Sequence, residues 1–474
     1  MKKRLFSLII MCFLAISICL TGCGKEGLKD NPATEATVFS NGGMSVIKGD
    51  YLYFVNGYVD ETTLTKDDNK EGKVTKSAIY RTKLKNNEID KDDDGFLINA
   101  ECVVSKVVGF SNGGFTIIDD NIYYATPYMK FSSDGQLQNN RVEFHRINID
   151  GTKDEVIYTT SQNETQLNWS LYKIENTTYL VVYESSKIVS INALNGKKVG
   201  SVEGSTSYAI LNEDDYVYNA DRTGFNYNNI IYTRDATEAD ATHSHGNVVC
   251  AFNIATGKTE VLEVSLDRTY TIQNVTGDAV YYTYTSTAEP IACLHKRVLE
   301  NAWNKTEEVK LSNMAYDKYY FVDYGNDIII AAAEEAMWKL EGGADNIPTK
   351  LMASTRDVVG IYGDYAYYVS DSKLIRFNIH TGETQDAYGD KATLITNSNF
   401  IDFDNRRIYV YGQYTAENGD TNYYLTYFNE DFVEGELEQR FVGVFEKGDL
   451  PAVPEQPTEP EFEGDEIEKI PHID

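Results

Sequence analysis

One phrase recurs along this chain and restricts its folding more than any other feature. A turn pair such as Gly-Asp or Asp-Asp precedes a run of four to six strand-forming residues. The runs are "YLYFV" at 51–55, "IYYAT" at 122–126, "YLVVY" at 179–183, "YVYNA" at 216–220, "AVYYTY" at 279–284, "IIIAAA" at 328–333, "YAYYV" at 365–369 and "IYVYG" at 408–412. A second strand that closes on an Asn- or Gly-bearing turn follows most of them, as in "IYRTKLKN", "VVCAFNIATG" and "LIRFNIHTG". A weaker entry strand, such as "FTIIDD", precedes each run. Asn-Gly and Thr-Gly are hairpin chemistry, because glycine accepts positive φ without a Cβ clash.

Each unit therefore offers an entry strand, a central strand, a third strand and a turn into a fourth. A strand with one wet face alternates apolar and polar residues. "IYYAT" and "IIIAAA" do not, so the central strands are covered on both faces. Four-stranded antiparallel units stacked face to face, repeating every ~40–50 residues, describe an all-β propeller. Phrase counting gives eight blades. The fourth unit, "YVYNADRTGFNYNNIIYTRDAT", holds two candidate central strands, "YVYNA" and "NIIYT", so seven blades with one irregular unit is the alternative. An open solenoid would leave strand edges bare, and closure into a ring avoids that.

Composition agrees. Tyrosine is used 35 times and proline only 9 times, which suits pleated, half-buried surfaces. A hydrophobic content of 42% can build a core. The formal charge of −30 opposes nucleic acid and anionic lipid surfaces, and favours cations and basic or neutral partners.

The ends read differently from the middle. Lys2, Lys3 and Arg4 precede an apolar run from Leu5 to Leu20, followed by Thr21, Gly22 and Cys23. A basic start and a short apolar stretch make an export signal over 1–22. "LTGC" resembles the lipobox of bacterial lipoproteins, which implies that Cys23 carries a diacylglycerol and becomes the first residue after processing. Several acyl chains at ~0.8 kcal/mol per buried CH₂ give a stable anchor. The expected layout is a signal at 1–22, a tether at 23–36, a propeller at 37–448 and an acidic, proline-rich tail at 449–474. That tail, "PAVPEQPTEPEFEGDEIEKIPHID" from Pro451, can bury little. Beyond the anchor, Cys102, Cys250 and Cys293 sit in apolar strand-like runs and read as buried thiols.

The lipobox around Cys23, with "GGFTIIDDNIYYAT" and "GDYAYYV…LIRFNIHTG", resembles the β-propeller lipoproteins of Gram-positive bacteria. Their domain is described as low-density-lipoprotein-receptor-like and of unknown function. The likeness spans most of 37–448 and implies a propeller fold and an outer-surface, lipid-anchored location. The chain has no Trp-Asp dipeptide, no kelch glycine pair and no YWTD signature as such.

The sharpest local motif is "DKDDDGFLINAE" at 90–101. Asp90, Asp92, Asp94, Gly95 and Glu101 fit the calcium-loop pattern D-x-D-x-D-G-x₅-E. Carboxylates would wrap Ca²⁺, Phe96 would give its carbonyl and Glu101 would close the shell. The competing reading is a solvated acidic turn, since Asp94-Gly95 is also ordinary hairpin chemistry. His243 and His245 would face one way on a strand and could share a metal with Asp235 or Asp240; a polar loop is the plainer reading. His145, His295 and His380 fall on repeat strands or turns and read as structural. Trp169, Trp303 and Tyr128 lie nearer loops and are candidates for a sugar-stacking platform.

No nucleophile elbow, phosphate loop, zinc-protease helix or dinucleotide fingerprint is present. With 73 acidic residues, a catalytic acid pair cannot be singled out. The leading expectation is a non-catalytic binding or scaffold module for a glycan, peptide or protein. A propeller-fold glycosidase or lyase, and a sensory or assembly subunit of a membrane complex, are the alternatives.

Overall fold

Successive residues of the strand Ala279–Thr285 point to opposite sides and are buried on both. Tyr282 points backward, beside Tyr270 of its own sheet (ring centroids 5.5 Å apart), into a core that also holds Ile230, Tyr232 and Val248. Tyr281 packs forward on Phe321 at 4.7 Å. The two rings thus belong to two different apolar cores. Burying one such ring is worth a few kcal/mol at ~25 cal/mol per Å². Repeating that arrangement produces a stack of sheets.

The computed structural model describes residues 27–36, 38–39, 45–56, 69, 74, 77–86, 88–89, 100–108, 114–128, 141–160, 167–185, 187–211, 224–237, 240, 246–299, 308–323, 327–333, 335–370, 373–386, 393–402, 407–415, 421–429 and 440–444. They form an all-β propeller with seven four-stranded antiparallel blades. Numbered along the chain, the blades span 115–159, 167–203, 205–264, 269–310, 318–352, 358–386 and 393–444.

The expectation of eight four-stranded blades is therefore corrected to seven. The sheet that precedes them, within 38–104, has six strands. Ala78–Lys85 is long enough for two short strands to pair with it at different places: Glu101–Val104 against Ile79 to Arg81, and Glu88–Ile89 against Leu84 and Lys85. Val38–Phe39 pairs with Ser45–Lys48 on the far side. The strand Ser45–Lys48 lies against Phe115–Ile118 of blade 1 and Thr393–Asp402 of blade 7, so this sheet closes the ring.

In blade 3 the central strand is Asn229–Asp235, the second of the two candidate runs. The run 216–220 lies outside the described residues, as do the signal 1–22, Cys23 and the tail 449–474.

First strands of neighbouring blades meet one another, as Ser205–Tyr208 meets Thr269–Val275, and so line the axis. Each inner strand starts at the face carrying the links between blades. It ends at the opposite face, which carries the first hairpin turn. The Thr-Gly turns fix how closely blades approach on that second face. Gly257 has φ +69°, and a Cβ there would stand 2.6 Å from the Val199 carbonyl oxygen of blade 2. Gly382 has φ +75° and presses on the Leu351 carbonyl of blade 5 in the same way. Glycine is needed at both for its backbone angle and for lack of a side chain.

Candidate binding site

On the link face, between blades 5 and 6, a pocket of about 220 Å³ is lined by Asp317, Lys318, Ala332, Thr355, Arg356 and Asp357. Its position follows from the topology. Lys318 is the first residue of the inner strand Lys318–Asp323 and pairs with Ala332 near the end of the second strand. The Asp317 N–H donates to the Ala332 carbonyl at 2.8 Å, which fixes that corner. Thr355 to Asp357 form the link that enters the next inner strand, Val358–Tyr362. Small Ala332 leaves the floor open.

The lining carries two cations, Lys318 and Arg356, and two carboxylates, Asp317 and Asp357, of which only Lys318 and Asp357 form an ion pair among the described residues. The Lys318 ammonium meets the Asp357 carboxylate directly. The Lys318 hydrogen bond holds Asp357 below the usual carboxylate range, and the same contact raises Lys318. Arg356 has no carboxylate within ion-pair distance among the described residues. Its guanidinium lies over the Tyr368 ring, 5.4 Å from the centroid. Its Nη1 reaches only the Thr355 carbonyl at 3.5 Å, and its Nε is buried without a hydrogen-bond partner. The backbone around it is pinned: the Arg356 N–H donates to Met337 Sδ at 3.5 Å, and the Tyr320 hydroxyl donates to the Arg356 carbonyl at 3.3 Å. A planar guanidinium stacked on an aromatic ring and lacking an acid is suited to grip a carboxylate.

The residues singled out in the sequence do not converge on this pocket. Asp90, Asp92, Asp94 and Phe96 lie outside the described residues. Glu101 is described, and its Oε2 accepts from Arg81 Nε at 2.9 Å. His243, His245 and Trp303 also lie outside. Asp240 is gripped at both oxygens by Arg234, each at 2.7 Å, and its acidity is strengthened by that contact and by Thr237. Asp235 accepts from Arg234 through its backbone carbonyl. Among the described residues, no group of three or more His, Cys, Asp or Glu is placed to hold a metal.

Trp169 is half-buried and meets Phe144 edge-on at 5.6 Å. Tyr128 lies beneath Arg141 at 4.5 Å. The two rings have separate partners and form no shared platform. His145 and His295 are buried within blades, and His380 sits in a turn. Cys102, Cys250 and Cys293 are buried free thiols.

A second polar cluster joins blades 3 and 4 and explains a further set of charges. Arg268 and Arg297 share Glu308 at 3.1 and 3.3 Å, Arg297 also reaches Glu263 at 3.2 Å, and the Tyr282 hydroxyl donates to Glu308 at 2.5 Å. Two guanidiniums face two carboxylates, so this cluster holds blades together and has no charge left over.

No protein-family model matches the chain, and no curated protein does. Solved structures of similar fold exist at low identity. One described as the eukaryotic initiation factor is 8% identical, with a TM-score of 0.43; the match covers 87% of this chain and 98% of that one. A structure from a study of two prolyl endopeptidases is 9% identical with a TM-score of 0.41, covering 84% of this chain and 56% of that one. The β-propeller domain of the Trilobed protease from Pyrococcus furiosus is 9% identical with a TM-score of 0.37, covering 85% and 95%. This chain thus spans little more than half of the prolyl endopeptidase.

Proposed function

We propose that this propeller is a lipid-anchored binding module outside the cell membrane that takes carboxylate-bearing ligands, such as peptide ends or acidic sugars, at the Arg356 pocket. The lipobox at Cys23 supports the location, and its resemblance to Gram-positive propeller lipoproteins supports an outer-surface setting. The observation that carries the binding role is the Arg356 guanidinium, stacked on Tyr368 and without an acid partner among the described residues, whereas Arg81, Arg146, Arg234, Arg268 and Arg297 each meet a carboxylate. A non-catalytic role suits the pocket better than hydrolysis. Glycoside chemistry wants one carboxyl held protonated near neutral pH, whereas Lys318 holds Asp357 ionised.

The test is calorimetric. Short peptides with a free C-terminus are compared with their amides, and uronic-acid oligosaccharides with neutral ones. The expected result is binding only by the carboxylate-bearing member of each pair, weakened about tenfold by Arg356→Lys, since lysine cannot present a two-pronged donor. Equal binding of acid and neutral partners, or none by either, overturns the reading.

A further inference from the structure

Residues 27–36 are strapped along one face of the ring. The Leu28 N–H donates to the Asp150 carbonyl at 2.9 Å, and Leu28 packs on the core of the six-stranded sheet. Two fully buried cations hold the strap by its backbone and side chains. Arg81 Nη2 donates to the Lys29 carbonyl at 2.7 Å, and its Nη1 donates to Asn31 Oδ1 at 2.5 Å. Lys48 Nζ donates to the Thr34 carbonyl at 3.0 Å and also to the Asp119 carbonyl. Peeling the strap away would strip hydrogen bonds from both cations at once, which is costly for charged groups.

Every one of these anchor points except Arg81 lies in or beside a hairpin turn at the same end of the inner strands. Lys48 ends the inner strand Ser45–Lys48, Asp119 follows the end of Phe115–Ile118, and Asp150 is in the turn after Val142–Asn148. The Arg356 pocket is built from the starts of inner strands, at the opposite face.

We propose that the strap, joined to a lipid on Cys23, sets the hairpin-turn face of the propeller toward the membrane and the Arg356 pocket away from it. This rests on the anchoring reading above. Cys23 and Gly27 are four residues apart, and four residues span at most about 14 Å when fully extended. A leash that short, fixed at its far end, cannot reach around the ring to let the other face approach the bilayer. The pocket is thereby presented to solutes and neighbouring molecules arriving from outside.

The protein is purified as the processed lipoprotein and inserted into phosphatidylcholine vesicles carrying an acceptor dye on the headgroups. A donor is placed by Asp364→Cys, in the first hairpin turn of blade 6, or by Leu266→Cys, in the exposed link between blades 3 and 4 (62% exposed). The native thiols are buried and leave the label selective. The faces are separated by a strand of about six residues, ~20 Å. The label at 364 should therefore be quenched more strongly, and inserting about twenty Gly/Ser residues after Gly24 should erase the difference. Equal or reversed quenching in the unextended protein overturns the orientation, and a difference that survives the spacer overturns the leash. Mass spectrometry of the N-terminal peptide is read separately: a bare Cys23 overturns the anchor and the orientation with it.

Discussion

The Arg81 guanidinium grips one oxygen of the Glu101 carboxylate through both Nε and Nη2 at 2.9 Å. Arg81 is fully buried and Glu101 is 43% exposed. The same arginine holds the strap at Lys29 and Asn31, so one side chain joins three segments. Replacing it with alanine should cost about 3 kcal/mol, the lower end for a broken buried pair because the acid keeps some water. Urea unfolding measures this, and Glu101→Gln should cost less than Arg81→Ala.

The same pair bears on calcium. If the acidic loop at 90–101 takes the ion with Glu101 as its closing ligand, Glu101 must turn from Arg81. Calcium titration of metal-free protein then has a clear expectation: Arg81→Met should bind more tightly than the parent, because the competing cation is gone, and Asp92→Ala should abolish the heat. No heat from the parent and from Arg81→Met alike ends the calcium reading.

Gly257 and Gly204 separate two reasons for glycine. Both have positive φ, +69° and +75°. A Cβ at Gly257 collides with the Val199 carbonyl, whereas a Cβ at Gly204 meets nothing within 4 Å. Gly204→Ala should therefore cost only the backbone strain, about 1 kcal/mol, and Gly257→Ala roughly twice that or more. Equal losses in denaturant unfolding would show that blade contact at the Thr-Gly turn adds nothing.

His145 and His295 are both buried but should respond to pH with opposite signs. Burial opposes the charge on His145, yet its Nδ1 hydrogen bond to the Asp154 carboxylate at 2.9 Å, with the Glu143 carboxylate 3.7 Å from Nε2, outweighs it and raises the pKa above 6.5. Its contribution to stability is then complete below about pH 6.5 and lost as pH rises through the folded value. His295 is lowered, chiefly by burial between Tyr282 and Tyr284, with Glu308 only partly offsetting. Its contribution is present above about pH 6.5 and lost as pH falls through its folded value. Melting curves against pH should show His145→Gln removing the alkaline-side loss and His295→Gln removing the acid-side loss; the reverse assignment sinks the account.

Thiol chemistry gives a direct check on packing. Burial raises the Cys250 and Cys293 thiols, and Cys102 is also enclosed. A disulfide reagent such as Ellman's should label none of the three in the folded protein and all three in guanidinium, because the thiolate is the reactive form. Fast labelling of Cys250 in the native state would contradict the closed packing of blade 3.

Much of the fold was legible because the central strands are apolar on both faces, as in 279–284 and 328–333, and only stacked sheets bury both. The blade count was not. A repeated phrase marks a strand but says nothing of how many partners it gathers, and Ala78–Lys85, which carries the second phrase of its unit, gathers two on one edge. The paired candidates in 216–233 also look alike as sequence; the described blade uses the later one. The pocket left no signal. Lys318 and Arg356 are far apart in the chain and match no motif; they meet only because neighbouring inner strands begin side by side. Spacing alone made Glu101 and Asp240 metal-ligand candidates; the arginines each meets, Arg81 and Arg234, belong to neither pattern and could not be read from it.

Closure through the six-stranded sheet sets the order in which the molecule can be finished. Its outer neighbour on one side is blade 7, whose strands are near the end of the chain. Until residues 393–444 have been made, an apolar sheet surface at the chain's beginning has nothing to rest on. Shielding during synthesis therefore matters most for the part made first.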